Sequence, residues 1–200
     1  MKKNITVGCF LLFVVVWTGC KKHDWPQGSP SGNEYFVTAT SLGSYSKADL
    51  QGLAAEAGFG VFAPLAIYDV DFYKLIYKTN FKGTMIQASG LLAIPKNVPG
   101  TPSLVSAQHG TIFTYADAPS NFPNTFSGFE LFASAGYVTV IPDYIGYGVS
   151  QNITHPYYDK EYSALAVVNM IKAAKYYLQQ QKTATSNRLF LVGYSEGGYT

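Results

Sequence analysis

The segment that most constrains this chain is Gly193-Tyr194-Ser195-Glu196-Gly197, set directly after the apolar, β-rich run Arg188-Leu-Phe-Leu-Val. A glycine two residues to either side of a serine lets a strand turn sharply into a helix. Side chains at those glycines would collide with neighbouring backbone, and the serine between them is held in a strained conformation. The turn presents the Ser195 hydroxyl above the strand end, at the start of the next helix, where partial positive charge favours a developing anion. Ser195 is therefore the candidate nucleophile, with Gly193, Tyr194 and Gly197 shaping its turn. The competing reading is a glycine-rich strand-to-loop turn with an incidental serine. The strand immediately before it favours the nucleophile.

The chain leading to this turn alternates strands and helices. Residues 103–108 predict a short strand, 128–135 a short helix, 137–141 a strand ended by Pro142, and 159–181 a long helix. Tyr162, Leu165, Ala166, Met170, Ala173 and Tyr177 supply helical spacing in the last of these. Residues 188–192 then read as a third buried-type strand. Further upstream, residues 46–57 predict a helix, with Ser46 as N-cap, Asp49 completing a capping box and Gly58 stopping it. Strands over 71–79 and 84–94, separated by Asn80-Phe81-Lys82-Gly83, predict an antiparallel hairpin. The expected fold class is α/β: a mostly parallel sheet with flanking helices and right-handed crossovers, preceded by an N-terminal antiparallel hairpin.

Two further loops leave strand ends. Gln108-His109-Gly110-Thr111 follows the strand over 103–108, and Gly110 lets the backbone turn an N–H toward the nucleophile. Ile141-Pro142-Asp143-Tyr144-Ile145-Gly146-Tyr147-Gly148 follows the strand over 137–141, at the edge where open α/β sheets bind ligands. His155, in Thr154-His155-Pro156-Tyr157, reads as a loop or entrance residue rather than a catalyst.

These three strand ends, in this order, resemble the α/β-hydrolase superfamily over roughly residues 65–200. Pro142-Asp143-Tyr144-x-Gly-x-Gly and Gly193-Tyr194-Ser195-Glu196-Gly197-Gly198 look like secretory lipases and related bacterial esterases. The resemblance implies a Ser-Asp-His triad, no cofactor and no metal, and carboxylic esters as substrates. It implies an oxyanion hole from the backbone N–H groups of Thr111 and Glu196, with His109, Gly110, Asp143 and Tyr144 shaping the site. The superfamily runs serine, then acid, then histidine along the chain, so Asp143 is read as a loop-fixing acceptor and His109 as structural. The triad acid and histidine are expected beyond Thr200. Residues 35–200 then form the N-terminal part of a hydrolase domain, with one sheet edge exposed and no activity in isolation. A serine peptidase of the same fold is the alternative. Prolyl-oligopeptidase relatives usually carry a β-propeller ahead of the hydrolase domain, and too few residues precede it here. An inactive surface binding protein on the same scaffold is a third reading.

The N-terminus is read separately. Lys2 and Lys3, an apolar stretch over 5–18, and Gly19 before Cys20 form a secretory signal peptide over residues 1–19. Thr18-Gly19-Cys20 resembles a bacterial lipobox, although Trp17 stands where that motif usually has Leu. It implies lipid attachment at Cys20, membrane contact through that anchor, and an exported lipoprotein facing the periplasm or the cell surface. Residues 20–34, punctuated by Pro26, Gly28, Pro30 and Gly32, read as the tether. The only cysteines are Cys9 and Cys20, so processing before Cys20 leaves no intrachain disulfide. The formal charge of +2 is also that of Lys2 and Lys3, and without them acidic and basic residues balance, which speaks against nucleic acid. Hydrophobic residues make up 48% and charged residues 13%, which excludes a disordered polyelectrolyte. The expected partner is a small-molecule, lipid or polysaccharide ester, and the sequence carries no signal for an oligomeric state.

Overall fold

Strand β2 (Val70–Phe81) reverses into β3 (Thr84–Pro95) through Lys82-Gly83. Both turn residues have positive φ, 50° and 80°, the twist a two-residue hairpin turn demands. The register runs unbroken from Phe81↔Thr84 to Val70↔Pro95. Residues 31–200 are the part of the chain that the computed structural model describes. The expected signal peptide, Cys20 and most of the expected tether lie outside it. Residues 31–34 form a turn on the long helix described below, and a Cβ on Gly32 would meet the Lys172 carbonyl at 2.5 Å.

A strand with no counterpart in the sequence reading, β1 (Phe36–Tyr45), adds to the free edge of β2 in antiparallel sense. Its register shifts between Phe36 and Thr38 and between Ser41 and Gly43. Those irregularities, with Gly, Ser and Thr through the strand, hide the alternation that marks a half-buried strand. Helix α1 (Lys47–Glu56) follows. Ser46 Oγ accepts from the Asp49 N–H at 3.2 Å and the Asp49 carboxylate accepts from the Ser46 N–H at 2.9 Å, a complete capping box.

The second half contains β4 (Leu104–Gln108), α2 (Leu131–Ser134), β5 (Val138–Pro142), α3 (Lys160–Gln180), β6 (Leu189–Gly193) and α4 (Glu196–Tyr199). Sheet order is β1-β2-β3-β5-β4-β6. The sheet is mixed: β1–β2, β2–β3 and β3–β5 pair antiparallel, while β4 lies between β5 and β6, parallel to both. Helix α2 is shorter than the sequence pattern, because residues 128–130 form the turn that enters it.

Alternation along the strands divides the core in two. Leu75, Tyr77, Leu92, Val138 and Val140 face α3, which buries Ala166, Val167, Met170, Ala174 and Leu178. Phe72, Leu91 and Ile141 face the other way, onto Leu50 and Ala54 of α1, Leu131 of α2, and Phe122. Each large apolar side chain so buried contributes about 1.5–3 kcal/mol before the entropy of ordering it. The buried stripe of α3 is broader than the spacing of Tyr162, Leu165 and Tyr177 implied, and those three are only half-buried.

Strand β6 departs from its buried-type sequence. It is the last strand in the sheet order, paired only with β4, and Leu189, Phe190 and Leu191 are 41%, 48% and 69% exposed. Among the described residues no helix is long and apolar enough to cross a membrane.

Candidate active site

Ser195 sits where β6 ends and α4 begins, with φ 53° and ψ −123°. This is left-handed territory that a non-glycine residue occupies only when its surroundings impose it. The flanking glycines supply the constraint. A Cβ on Gly193 would strike the Gly197 carbonyl oxygen, and one on Gly197 would strike the Gln108 carbonyl oxygen and lie 2.7 Å from that of His109. The elbow is thus wedged against the end of β4, and the Ser195 side chain is left exposed.

The loop after β4 meets the elbow directly. The Tyr194 ring lies over Gly110, where an added Cβ would come within 2.5 Å of Cε2. His109 is buried, 2% exposed, with Nδ1 2.7 Å from the Gly110 carbonyl and its ring 4.4 Å from that of Tyr144. Nδ1 must carry a hydrogen to reach a carbonyl, and among the described residues Nε2 has no hydrogen-bond partner. Burial holds this imidazole below its ordinary range, disfavouring the charged ring. Among the described residues, no protein acceptor takes the N–H of Thr111 or of Glu196.

The loop after β5 is fixed from below by Asp143, which is fully buried. Its carboxylate accepts from Ser89 Oγ of β3 at 2.5 Å and from the Ser120 N–H at 2.8 Å. Ser89 Oγ in turn accepts from the Val149 N–H at 3.0 Å. Asp143 therefore ties three segments together and contacts no histidine through a hydrogen bond. Tyr144 also has positive φ, 67°, and its hydroxyl donates to the His109 carbonyl at 3.0 Å. Burial raises its hydroxyl above the usual phenol range.

Two features were invisible in the sequence. The first is the pairing of His155, read above only as a loop or entrance residue: its Nδ1 lies 2.7 Å from the Ile145 carbonyl and its Nε2 lies 2.7 Å from Glu196 Oε1. Glu196 thus brings a buried carboxylate as well as an N–H to the elbow. No sequence signal joins residues 41 positions apart. The second is a cleft of about 320 Å³ beside the elbow, lined by His109, Ile112, Phe126, Glu130 and Tyr194 among others. Glu130 is 1% exposed and accepts from the Ser127 N–H and Oγ, both at 3.0 Å. Burial pushes its carboxyl up to about 7. The Ser-x-x-Glu spacing at 127–130 is a capping-box signal, but its burial is not legible from spacing.

Neither described histidine hydrogen-bonds the Ser195 hydroxyl: His109 is turned to Gly110, and His155 is held between Ile145 and Glu196. The structure brings Ser195, Glu196, Tyr194, His109, Gly110 and Thr111 to one edge of the sheet, with Asp143 and Tyr144 beneath. Among the described residues no group of three or more His, Cys, Asp or Glu side chains is placed to hold a metal ion.

A sheet covered by helices on both faces, carrying a strained serine at a strand-to-helix elbow, defines the α/β-hydrolase fold, and this chain has that fold. It is similar to a putative hydrolase from Legionella pneumophila, at 33% identity and a TM-score of 0.74, over 83% of this chain and 45% of that one. It is similar to the rice cell wall degrading esterase LipA from Xanthomonas oryzae, at 28% identity and a TM-score of 0.69, over 85% of this chain and 44% of that one. Lipase A of Candida antarctica in its closed state shares the fold at 14% identity and a TM-score of 0.54, over 82% of this chain and 36% of that one. The chain therefore spans less than half the length of each of these structures. Residues 123–200 match the model of the prolyl oligopeptidase family. A comparison with curated proteins returned no match.

Proposed function

We propose that this chain carries the nucleophile and oxyanion loop of a serine esterase. Ser195 attacks the carbonyl of a carboxylic ester, the ester C–O bond breaks, and the alcohol leaves with the proton taken from Ser195 as the acyl-enzyme forms. The N–H groups of Thr111 and Glu196 bind the oxyanion, and water then releases the acid. The observation that carries this reading is the Ser195 backbone, φ 53° and ψ −123°, wedged between glycines that tolerate no side chain. The general base and its acid partner are assigned to sequence beyond residue 200. Both described histidines are committed elsewhere, and this chain covers only 45% and 44% of the two similar hydrolase structures. The similarity to an esterase over most of the chain favours esters over amides. The substrate is a small-molecule, lipid or polysaccharide ester. Export and anchoring through a lipid at Cys20 belong to the same proposal and rest on the signal sequence alone.

A serine peptidase of this fold is the second reading, and the match to the prolyl oligopeptidase family favours it. The full-length protein, assayed on p-nitrophenyl acyl esters and on aminoacyl p-nitroanilides, separates the two. Turnover of the esters that disappears in Ser195→Ala supports the esterase. Turnover of the anilides at equal or higher kcat/KM moves the assignment to the peptidase, and ester hydrolysis retained in Ser195→Ala removes Ser195 from the chemistry.

A further inference from the structure

We propose that His155 and Glu196 form a charge-neutralised positioning pair for the oxyanion hole, and that the loop carrying His155 holds both oxyanion donors. This rests on the serine-hydrolase reading of Ser195. Glu196 is an awkward residue for its place. Its backbone N–H is aimed at a developing negative charge, while its own side chain is a carboxylate, 2% exposed, on the same residue. An uncompensated carboxylate there would repel the oxyanion, and burial strengthens that repulsion.

His155 removes the conflict. Its Nδ1 faces a carbonyl, which only accepts, so Nδ1 carries a hydrogen. Its Nε2 faces Glu196 Oε1 at 2.7 Å, and one proton lies between them. Whichever partner holds that proton, imidazole and carboxyl together carry no net charge. The ring is fixed in place. It packs 5.1 Å from the Tyr147 ring, and an added Cβ on Gly146 would lie 2.7 Å from the His155 backbone nitrogen.

The same stretch of chain grips the other donor. Tyr144 Oη donates to the His109 carbonyl at 3.0 Å, and Tyr147 Oη donates to the Ile112 carbonyl at 2.7 Å. Tyr157 Oη shares a hydrogen bond with Thr111 Oγ1 at 3.0 Å. These three hydroxyls bracket the Thr111 N–H. Residues 144–157 therefore hold the Thr111 side of the hole through tyrosines and the Glu196 side through His155. A displacement of about 1 Å in such a constellation costs on the order of 10²-fold in rate.

The test uses the full-length protein and a short p-nitrophenyl ester. The variants are His155→Phe, His155→Phe with Glu196→Gln, and Tyr147→Phe, each checked by melting temperature. His155→Phe should lower kcat by about 10²-fold with KM changed by less than about threefold. Adding Glu196→Gln to it should restore kcat by about tenfold, because the stranded charge is gone, whereas loss of packing alone would not be rescued. Tyr147→Phe keeps the ring and should lower kcat several-fold, which carries the test if His155→Phe does not fold. Wild-type kcat in His155→Phe, no rescue in the double variant, or wild-type kcat in Tyr147→Phe would overturn the inference. A wild type inert to esters and to a fluorophosphonate would overturn the serine-hydrolase reading and this inference with it. An active wild type with the wrong variant pattern overturns this inference alone.

Discussion

Strands β1–β3 and strands β4–β6 share one sheet but end differently. In the antiparallel set, successive strands finish at opposite edges, so consecutive loops alternate between the edges instead of gathering at one. In the parallel set, β4, β5 and β6 all finish at one edge. The loops over 109–112, 143–157 and 194–196 therefore meet, and Ser195, Thr111, Glu196 and His155 come together from distant sequence. The glycines of the two regions differ accordingly. Gly83, with φ 80°, has nothing within 4 Å of an added Cβ, whereas Gly197 has the carbonyls of Gln108 and His109. Gly83 turns the chain, whereas Gly197 brings backbone against backbone at the elbow.

The largest expected effect lies in the parallel half. Ser195→Ala in the full-length protein should lower kcat by about 10⁶-fold, the scale of nucleophile loss in serine hydrolases, with little change in melting temperature. An unchanged kcat would erase the functional distinction between the halves. Next, Gly197→Ala should cost on the order of 10²-fold in kcat, because the elbow must back away from β4. It should also destabilise the fold by about 1–3 kcal/mol. Wild-type kinetics in this variant would show that the elbow is not wedged.

Glu130 sharpens the comparison through pH. Its carboxyl titrates near 7 in the folded state, above the 4.5 of an exposed glutamate. The folded protein therefore binds more protons than the unfolded chain between those values. The stabilisation it gives is complete below about pH 4.5 and is lost as pH rises through 7, at most about 1.4 kcal/mol per pH unit across that window. Melting temperature should be lower at pH 8 than at pH 5, and Glu130→Gln should shrink that difference. An equal difference in the variant would assign it to other groups. The smallest effect belongs to the antiparallel half. Gly83→Ala should destabilise by about 1–2 kcal/mol through its positive φ and leave kcat unchanged. A change in kcat there would mean the hairpin communicates with the site.

The two halves were also unequally legible. The elbow could be read because its requirement is local: two glycines, a serine and a preceding strand within ten residues. The hairpin and α1 were legible for the same reason, since a two-residue turn and a capping box are set by neighbours in sequence. Strand β1 was not, because its bulges and small polar residues break the alternation. An exposed sheet edge was expected, but the residues of β6 alone did not mark it, because an apolar strand reads alike whether central or last in the sheet. The pairing of His155 with Glu196, and of Asp143 with Ser89 and Ser120, depends on which loops meet at the sheet edge. That is fixed by topology rather than by spacing.

The most direct measurement is covalent labelling of the folded, full-length protein with a fluorophosphonate, followed by peptide mapping. The expected result is a single modified residue, Ser195, with all labelling lost in Ser195→Ala. Absence of labelling in the folded wild type, or a label on any other residue that persists in Ser195→Ala, would contradict the assignment of Ser195 as the nucleophile.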